Sequence, residues 1–417
     1  MKKRFIFHID VNSAYLSWEA SHRLQRGDSL DLRTVPSAIG GDPETRHGII
    51  LAKSIPAKKF KIQTGETLYS ARNKCPDLLI VSPNYNLYRQ CSMALKEVIQ
   101  EYSPLIQQYS VDEFFLDFTG MEKLLGDPMQ TSYLIKDKIK EKLGFTVNIG
   151  ISSNKLLAKM ASELQKPDKV HTLFPEEIPS KMWPLPVEEL FGVGRATLRK
   201  FRDRGIRTIG DLASENPDDL KRYLKSYGLL LWNYAHGRDN SPVRYNNSIP
   251  VKGIGNSTTI PFDVEDESAA HLVLLSLAET VGMRLREDDY CTSLISISLK
   301  TKDFFYYSHQ KKLHLPTDCT SVIHQIACQL LAELWQGEPI RHLGLRVSEL
   351  SSNNLFQPSL FEKDIEKQKR IDQAVDTIRL KYGAQSVFRS AFLGSGLKPL
   401  SGGVIETEEY PMMSSIL

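Results

Sequence analysis

The 417-residue sequence predicts an α+β protein built from several units. Three observations lead there. A chain this long exceeds what one core organises, so it divides into three or four compact units. Strand-like runs and helix-period segments are mixed through the first 170 residues, and a second mixture, in the order β-α-β-β-α-β, fills 250–350. Between them lies a helical stretch, and beyond them a polar tail.

The first strand, Phe5-Ile6-Phe7-His8-Ile9-Asp10, is an almost continuous apolar run of the kind covered on both faces. Asp10 closes it, and a helix starting near Tyr15 continues to about residue 26. Residues 28–48 are polar and turn-rich. The Gly40-Gly41-Asp42 there is a plain turn, because Pro43 stands where the Gly-Gly-Asp signature of diguanylate cyclases needs acidic and aromatic residues. A short strand from Pro36 runs into that turn, and after it Ile49 to Lys53 leads into a segment with four lysines between 53 and 61, the composition of a solvated face. Tyr88 to Tyr102 reads as a helix with Met93, Leu95, Val98 and Ile99 apolar.

Residues 107–118 form the stretch on which the rest depends. Asp112 and Glu113 sit side by side in a strand-forming run, and in a plain strand one of them would face a core. A tight hairpin turn removes that conflict and lets both acids reach one cation. With Asp10 at another strand end, these acids are the minimum set for two divalent ions. Oxygen ligands favour Mg²⁺ or Mn²⁺ over zinc, and two such ions can hold the attacking and leaving oxygens of a phosphoryl transfer.

A helix from about Pro128 to Leu143 and a strand, Thr146 to Ile151, complete an α+β unit around one sheet. The next helix has Asn154 as N-cap and Pro167 as stop. Lys155, Lys159 and Lys166 fall within roughly 40° of one another on its wheel, a lysine-rich wet side opposite Leu156, Leu157, Met160, Ala161 and Leu164. From 173 to about 238 the chain is helical. Gly192-Val193-Gly194 is flanked there by two predicted helices, and Arg or Lys at 195, 199, 200, 202, 204 and 207 faces the single acid Asp203. Such a run suits sequence-independent contact with a phosphate backbone. Residues 238–250 read as a linker.

The β-α-β-β-α-β unit is acidic, with nine Lys and Arg against thirteen Asp and Glu over 250–350. Its acids bunch at 263–267 and 287–289. The sequence therefore predicts that these loops face away from any nucleic acid, while Ser296, Ser298, Lys300, Lys302, Arg341 and Arg346 face it. In the tail, a basic amphipathic helix with Ile371, Val375, Ile378 and Tyr382 on one side is expected, followed by about two dozen disordered residues.

Composition sets limits. Net charge is only +3, so a nucleic-acid surface must come from placement of charge rather than its total. Five cysteines without metal-ligand spacing fit a reducing cytosol, and the basic start runs straight into a strand without a signal-peptide apolar region. No apolar run is long enough to span a membrane. The location expected is cytoplasmic.

Three blocks, Ile9 to Tyr15, Tyr109 to Glu113 and Gly150 to Lys159, resemble in order three motifs of the Y-family DNA polymerases, bacterial DNA polymerase IV type. The likeness covers roughly the first 350 residues. It implies a right-hand polymerase: palm 1–26 and 82–172, fingers 27–81, helix-hairpin-helix thumb 173–238, linker 239–249, little finger 250–350 and tail 351–417. It also implies template-directed, error-prone translesion synthesis without proofreading. Asp10, Asp112, Glu113 and the Val11 carbonyl would ligate two Mg²⁺, with Mn²⁺ able to substitute. Tyr15, beside Ala14, would pack under the sugar and exclude a 2′-hydroxyl. Lys58, Lys166 and Lys159 would be the basic groups near the triphosphate, Lys58 standing where an arginine is usual and Ile55 where many members carry tyrosine. Gly192, Gly194, Arg195, Lys300 and Arg346 would touch DNA. Gln357-Pro358-Ser359-Leu360-Phe361 resembles the peptide that docks on the bacterial sliding clamp, the β subunit of the replicase, with Leu355-Phe356 as a rival register. A monomer acting on primer-template DNA and deoxynucleoside triphosphates is expected. Two other classes fit part of the pattern: a non-catalytic, clamp-recruited accessory factor, against which the three acids argue, and a nucleotide cyclase, for which the basic helical unit and docking peptide have no use.

Overall fold

The computed structural model describes residues 4–42, 46, 48–245, 251–353, 363–397 and 399–400. The chain packs as two compact units. The first runs from the N-terminus to Gly41 and from Ile49 to Ser248, and the second holds 42–48 and Ile249 to Glu409.

The first unit contains strands β1 (Ile6–Val11), β2 (Ser37–Gly40), β3 (Ile50–Lys53), β4 (Leu79–Val81), β5 (Ile106–Gln108), β6 (Glu113–Asp117), β7 (Val147–Ser152) and β8 (Val170–Thr172). One sheet has the order β5-β6-β1-β7-β8 and a smaller one β3-β2-β4. β1 lies at the centre of the larger sheet and is buried along its whole length, as its unbroken apolar run requires. Phe7, Ile9 and Val11 face a core with Trp18, Tyr88, Phe114 and Ile149, whereas Ile6 packs on the other face with Phe115 and Ala158. Alternation along the strand therefore puts His8 and Asp10 on that second face.

The flanking helices start where a side chain caps them. Asp127 accepts the Met129 and Gln130 N–H groups, and the helix Pro128–Leu143 has its expected bounds. Asn84 accepts the Leu87 N–H, so the last helix before the acids begins at Tyr85, three residues earlier than its apolar pattern indicates. Asn154 caps Lys155–Glu163 as expected. That helix stops at Glu163, however, and Lys166 lies beyond it. The wet lysine face is overturned too: Lys155 is 3% exposed, held by Gln107 Oε1 at 3.1 Å.

Residues 175–235 are helical. Before Gly192 there is only a 3-10 turn, Val187–Glu189, and not a full helix, whereas Arg195–Arg202 follows Gly194 as expected. The first part of the expected linker is packed rather than loose. Val243 is buried, Arg244 N–H donates to Gln107 Oε1, and Asp239 accepts the Leu156 N–H.

The second unit has strands β9 (Gly253–Val264), β10 (Tyr290–Thr301), β11 (Tyr306–Thr317) and β12 (Ile340–Ser352) in the antiparallel order β11-β10-β12-β9. Helices Glu267–Glu287 and Thr320–Leu334 cover one face, where Ile295, Ile297 and Leu299 are buried. The order β-α-β-β-α-β agrees with the sequence reading. The tail helix Lys363–Tyr382 exists, but its packed face is ionic and not apolar. Ile371, Ile378 and Tyr382 are exposed, whereas Asp372 and Arg379 are buried. Arg379 pairs with buried Glu279 at 3.2 Å, Asp376 with Arg286 at 2.6 Å, and Lys369 with buried Asp318 at 2.9 Å. The tail thus supplies cations to buried Asp318 and Glu279 and acids to Arg286, which a side-chain wheel drawn in isolation cannot reveal. Gln357, Leu360, Phe361 and the expected disordered end lie outside the described residues.

Candidate active site

The turn between β5 and β6 settles the carboxylate conflict. The Ser110 hydroxyl accepts the backbone N–H groups of Asp112 (3.3 Å) and Glu113 (3.0 Å) and donates to Asp112 Oδ1 at 2.6 Å. Both acids are thereby oriented before any strand partner is considered. β1 then brings in Asp10, which is the cross-strand partner of Glu113, and the Val11 N–H donates to the Asp112 carbonyl at 3.1 Å. Carboxylate oxygens of Asp10, Glu113 and Glu163 come within 4.8 Å of one another. Like charges directly opposite on a sheet repel, so such a cluster needs cations.

Two lysines supply them. Lys166 Nζ bonds Asp10 Oδ2 and lies 2.8 Å from Glu163 Oε1, while Lys159 Nζ lies 2.5 Å from Glu113 Oε1. Two adjacent positions beside the acids therefore hold positive charge. The donor set is all oxygen, which fits hard divalent cations. Burial pushes the Asp10 pKa up to about 6 against the pull of Lys166, and the Glu113 charge adds to the rise. Asp112 is also raised, by burial first, with its Ser110 hydrogen bond opposing and the Asp10 charge reinforcing. Burial disfavours the Lys166 ammonium, but Asp10 and Glu163 outweigh it and its pKa is raised.

Beside the acids opens a cavity of about 970 Å³ lined by Asp10, Val11, Ala14, Tyr15, Lys58, Asp112 and Lys166 among others. The helix Ala14–Gln25 begins there without a side-chain cap, behind Ser13 in the left-handed region (φ 50°). Its first N–H groups and the nearby lysines make the cavity attractive to a polyanion. Tyr15 stacks on Tyr88 at 4.4 Å and 10°, and burial pushes its hydroxyl up to about 12, reinforced by Asp112. Its ring is thus held by packing rather than free to rotate.

Of the sequence-predicted residues, Ala14, Tyr15, Lys58 and Lys166 line the cavity with Asp10 and Asp112, and Ile55 lines it as well. Lys159 is instead turned to Glu113, over the rings of Tyr109 (5.2 Å) and Phe191 (5.6 Å). The sequence reading missed Glu163, Lys53, Arg33 and Gly150. Lys53 lines the cavity, its pKa lowered by burial and then by Lys58, and Arg33 lines it with no motif to mark it. Glu163 could have been found from its place three residues before Lys166. Gly150 matters because a Cβ there would meet the Ala158 carbonyl oxygen at 2.0 Å and the Ser162 nitrogen at 2.4 Å. Only glycine lets the helix Lys155–Glu163 lie close enough to β7 to carry Lys159 to the acids.

Away from the acids, Gly192 adopts φ 95° and Gly194 starts the helix Arg195–Arg202 with nothing within 4 Å of a notional Cβ. That helix start is open to an anion. In the second unit, β10 pairs Ser296 with Arg346, Ser298 with Gly344 and Lys300 with His342, all opposite the buried face. Lys300 and Arg346 therefore stand on one open face, separated by a row of small residues.

Carboxylates gathered beside a cationic cavity of this size are what an enzyme of nucleotidyl transfer requires. Comparison with known proteins narrows the class. Residues 9–163 match the impB/mucB/samB family, 175–206 the IMS family HHH motif and 251–360 the impB/mucB/samB family C-terminal domain. The chain is 47% identical over 397 residues to a DNA polymerase IV of Clostridium acetobutylicum, covering 94% of this chain and 98% of that protein. A DNA polymerase IV of Acetivibrio thermocellus is 38% identical over 94% of this chain and 98% of its own, and a DNA polymerase IV 2 of Bacillus subtilis 34% over 94% and 95%. In fold, the chain matches a solved Y-family DNA polymerase chimera with a TM-score of 0.70 at 20% identity, over 84% of this chain and all of that one. The chain belongs to the impB/mucB/samB family of Y-family DNA polymerases. It is a DNA-directed DNA polymerase of the translesion type, acting on a template-primer and nucleotides. No described helix is long and apolar enough to cross a membrane.

Proposed function

We propose that Asp10, Asp112 and Glu113, with the Val11 carbonyl, hold two Mg²⁺ ions, for which Mn²⁺ can substitute, and that the 970 Å³ cavity takes the incoming deoxynucleoside triphosphate. The observation that carries this reading is the meeting of Asp10 and Glu113 oxygens within 4.8 Å, each already bound to a lysine ammonium. Bound divalent ions supply charge neutralisation at the attacking and leaving oxygens. The protein's own groups do the rest. Asp10, Asp112 and Glu113 fix where that charge sits. Lys58, Lys166 and the uncapped helix start bind the phosphates, with Lys159 as a second basic group. Tyr15, braced by Tyr88, bars a 2′-hydroxyl. The primer 3′-hydroxyl oxygen attacks the α-phosphate and releases its proton to solvent, its O–P bond forms as the bond to the oxygen bridging to the β-phosphate breaks, and pyrophosphate leaves.

In this reading residues 1–26 and 82–172 are the palm, 27–81 the fingers, 173–238 the thumb, 239–249 the linker, 250–350 the little finger and 351–417 the tail. Gly192, Gly194 and Arg195 meet the phosphate backbone, and Lys300 and Arg346 meet DNA from the open face of the second sheet. Gln357, Leu360 and Phe361 dock on a sliding clamp. The protein works as a cytoplasmic monomer. Extension of a primed template by one matched nucleotide tests the function: it should need Mg²⁺ and a primer and stop with a chelator. Product made from free nucleotide without a primer would favour a cyclase instead.

A further inference from the structure

His8 has no exposed surface, lies two residues before Asp10 on the same face of β1, and has no part in the steps above. Its ring packs against its cross-strand partner Phe115, centroids 4.7 Å apart. Nδ1 lies 2.8 Å from Ser162 Oγ. Nε2 has no hydrogen-bond partner among the described residues, yet it lies 4.0 Å from Glu113 Oε2. A buried ring nitrogen without a partner is costly, and this one stands a small side-chain shift short of a carboxylate.

The tautomer follows from counting protons. A neutral imidazole carries one N–H. The Ser162 hydroxyl has a single proton and two acceptors in reach at 2.8 Å, His8 Nδ1 and the Lys159 carbonyl. If that proton went to Lys159, His8 would donate from Nδ1 and turn a bare lone pair toward Glu113, setting two acceptors against each other. If it goes to Nδ1, the imidazole proton sits on Nε2 and points at the carboxylate. The Lys159 carbonyl can release the hydroxyl because it lies inside a helix and belongs to the backbone ladder. Glu113 therefore selects the Nε2–H form. Gly150, the other cross-strand partner of His8, makes room for this, since a Cβ there would strike the Ser162 nitrogen.

We propose that His8 and Ser162 are a positioning pair for Glu113. A small side-chain shift from the present 4.0 Å lets Nε2–H bind one oxygen of the carboxylate, leaving the other, which Lys159 now occupies, to face a divalent cation. The inference rests on the two-cation reading above and extends it to the layer of residues behind the ligands. Second-layer partners of this kind govern metal affinity as well as turnover, so their removal is visible without catalysis.

The test compares His8→Gln, which keeps a donor near the Nε2 position, with His8→Asn, which keeps a polar group only near Nδ1, and with His8→Phe. Mn²⁺ binding is read from loss of the free-ion electron paramagnetic resonance signal, using enzyme on a dideoxy-terminated primer-template with the next nucleotide. Phe and Asn should weaken Mn²⁺ binding by about 10- to 100-fold, and Gln should restore it to within about threefold of the parent. Parental affinity in the Phe and Asn proteins would overturn the proposal, and so would a Gln protein as weak as Phe, because ring volume would then be what matters. Should His8→Phe fail to fold, the Asn–Gln contrast still decides. Glu113→Gln serves as the separate control: if it binds Mn²⁺ like the parent, the metal reading itself falls, whatever His8 does.

Discussion

Replacing Gly150 by alanine tests the packing that brings the lysines to the acids. The new Cβ would meet the Ala158 carbonyl oxygen at 2.0 Å, the Ser162 nitrogen at 2.4 Å and the Ala161 Cβ at 2.9 Å. The two closest atoms belong to helix backbone, so no flexible side chain can swing away. Restoring ordinary contact, from 2.0 Å to 3.4 Å, requires the helix Lys155–Glu163 to retreat by about 1.4 Å. Overpacking of this kind costs about 1–3 kcal/mol. The retreat also withdraws Lys159 from Glu113, now 2.5 Å away, and Ser162 from His8, now 2.8 Å. Displacement of about 1 Å at a reacting centre costs on the order of a hundredfold in rate. Urea unfolding and single-turnover nucleotide insertion measure the two effects. Gly194→Ala is the control for stability, because its Cβ would meet nothing within 4 Å. A Gly150→Ala protein as stable and as fast as the parent would refute the reasoning.

Tyr15→Ala should raise ribonucleotide insertion relative to deoxyribonucleotide by about 10- to 100-fold, read from kcat/KM for the matched pair; unchanged discrimination would remove the sugar gate. The raised pKa of Asp10 sets a pH dependence of definite sign. Between the unfolded value of 3.8 and about 6 the folded, metal-free protein binds more protons at Asp10 than the unfolded chain, so its stability falls as pH rises through that window. Asp10→Asn should flatten the fall in a series of urea midpoints of the metal-free protein, and an unchanged slope would mean that Asp10 does not set it. Reversing Lys300 and Arg346 together to glutamate should weaken primer-template binding and lower the salt slope by about 2; unchanged affinity at moderate salt would mean that DNA does not lie on that face.

What the sequence made legible is what local chemistry determines. The strand from Ile6 and the helix Pro128–Leu143 could be read because apolar period and capping residues act within a few positions. Asp112 could be placed on a turn because a strand would bury one of the two acids, but Glu113 turns out to open β6 opposite Asp10. Contacts that depend on distant partners were not legible. Lys155 shares an arc with Lys159, but Gln107 and the Pro242 carbonyl bury it, and nothing within the helix announces either. The tail helix shows the same limit, since its apolar stripe is exposed while Arg379 is drawn inward by Glu279, a hundred residues away. His8 looked like one more residue of an apolar strand. Only the register that sets it between Phe115 and Gly150, with Ser162 on one nitrogen, separates it from a filler of the core.

Single-turnover insertion by Glu113→Gln, on primed template with Mg²⁺ and with folding checked by urea unfolding, bears most directly on the catalytic assignment. The side chain keeps its size and loses its charge, so the protein should fold while insertion drops by on the order of 10²–10³-fold or more. A folded Glu113→Gln protein that inserts nucleotide at the parental rate would mean that chemistry takes place without this carboxylate.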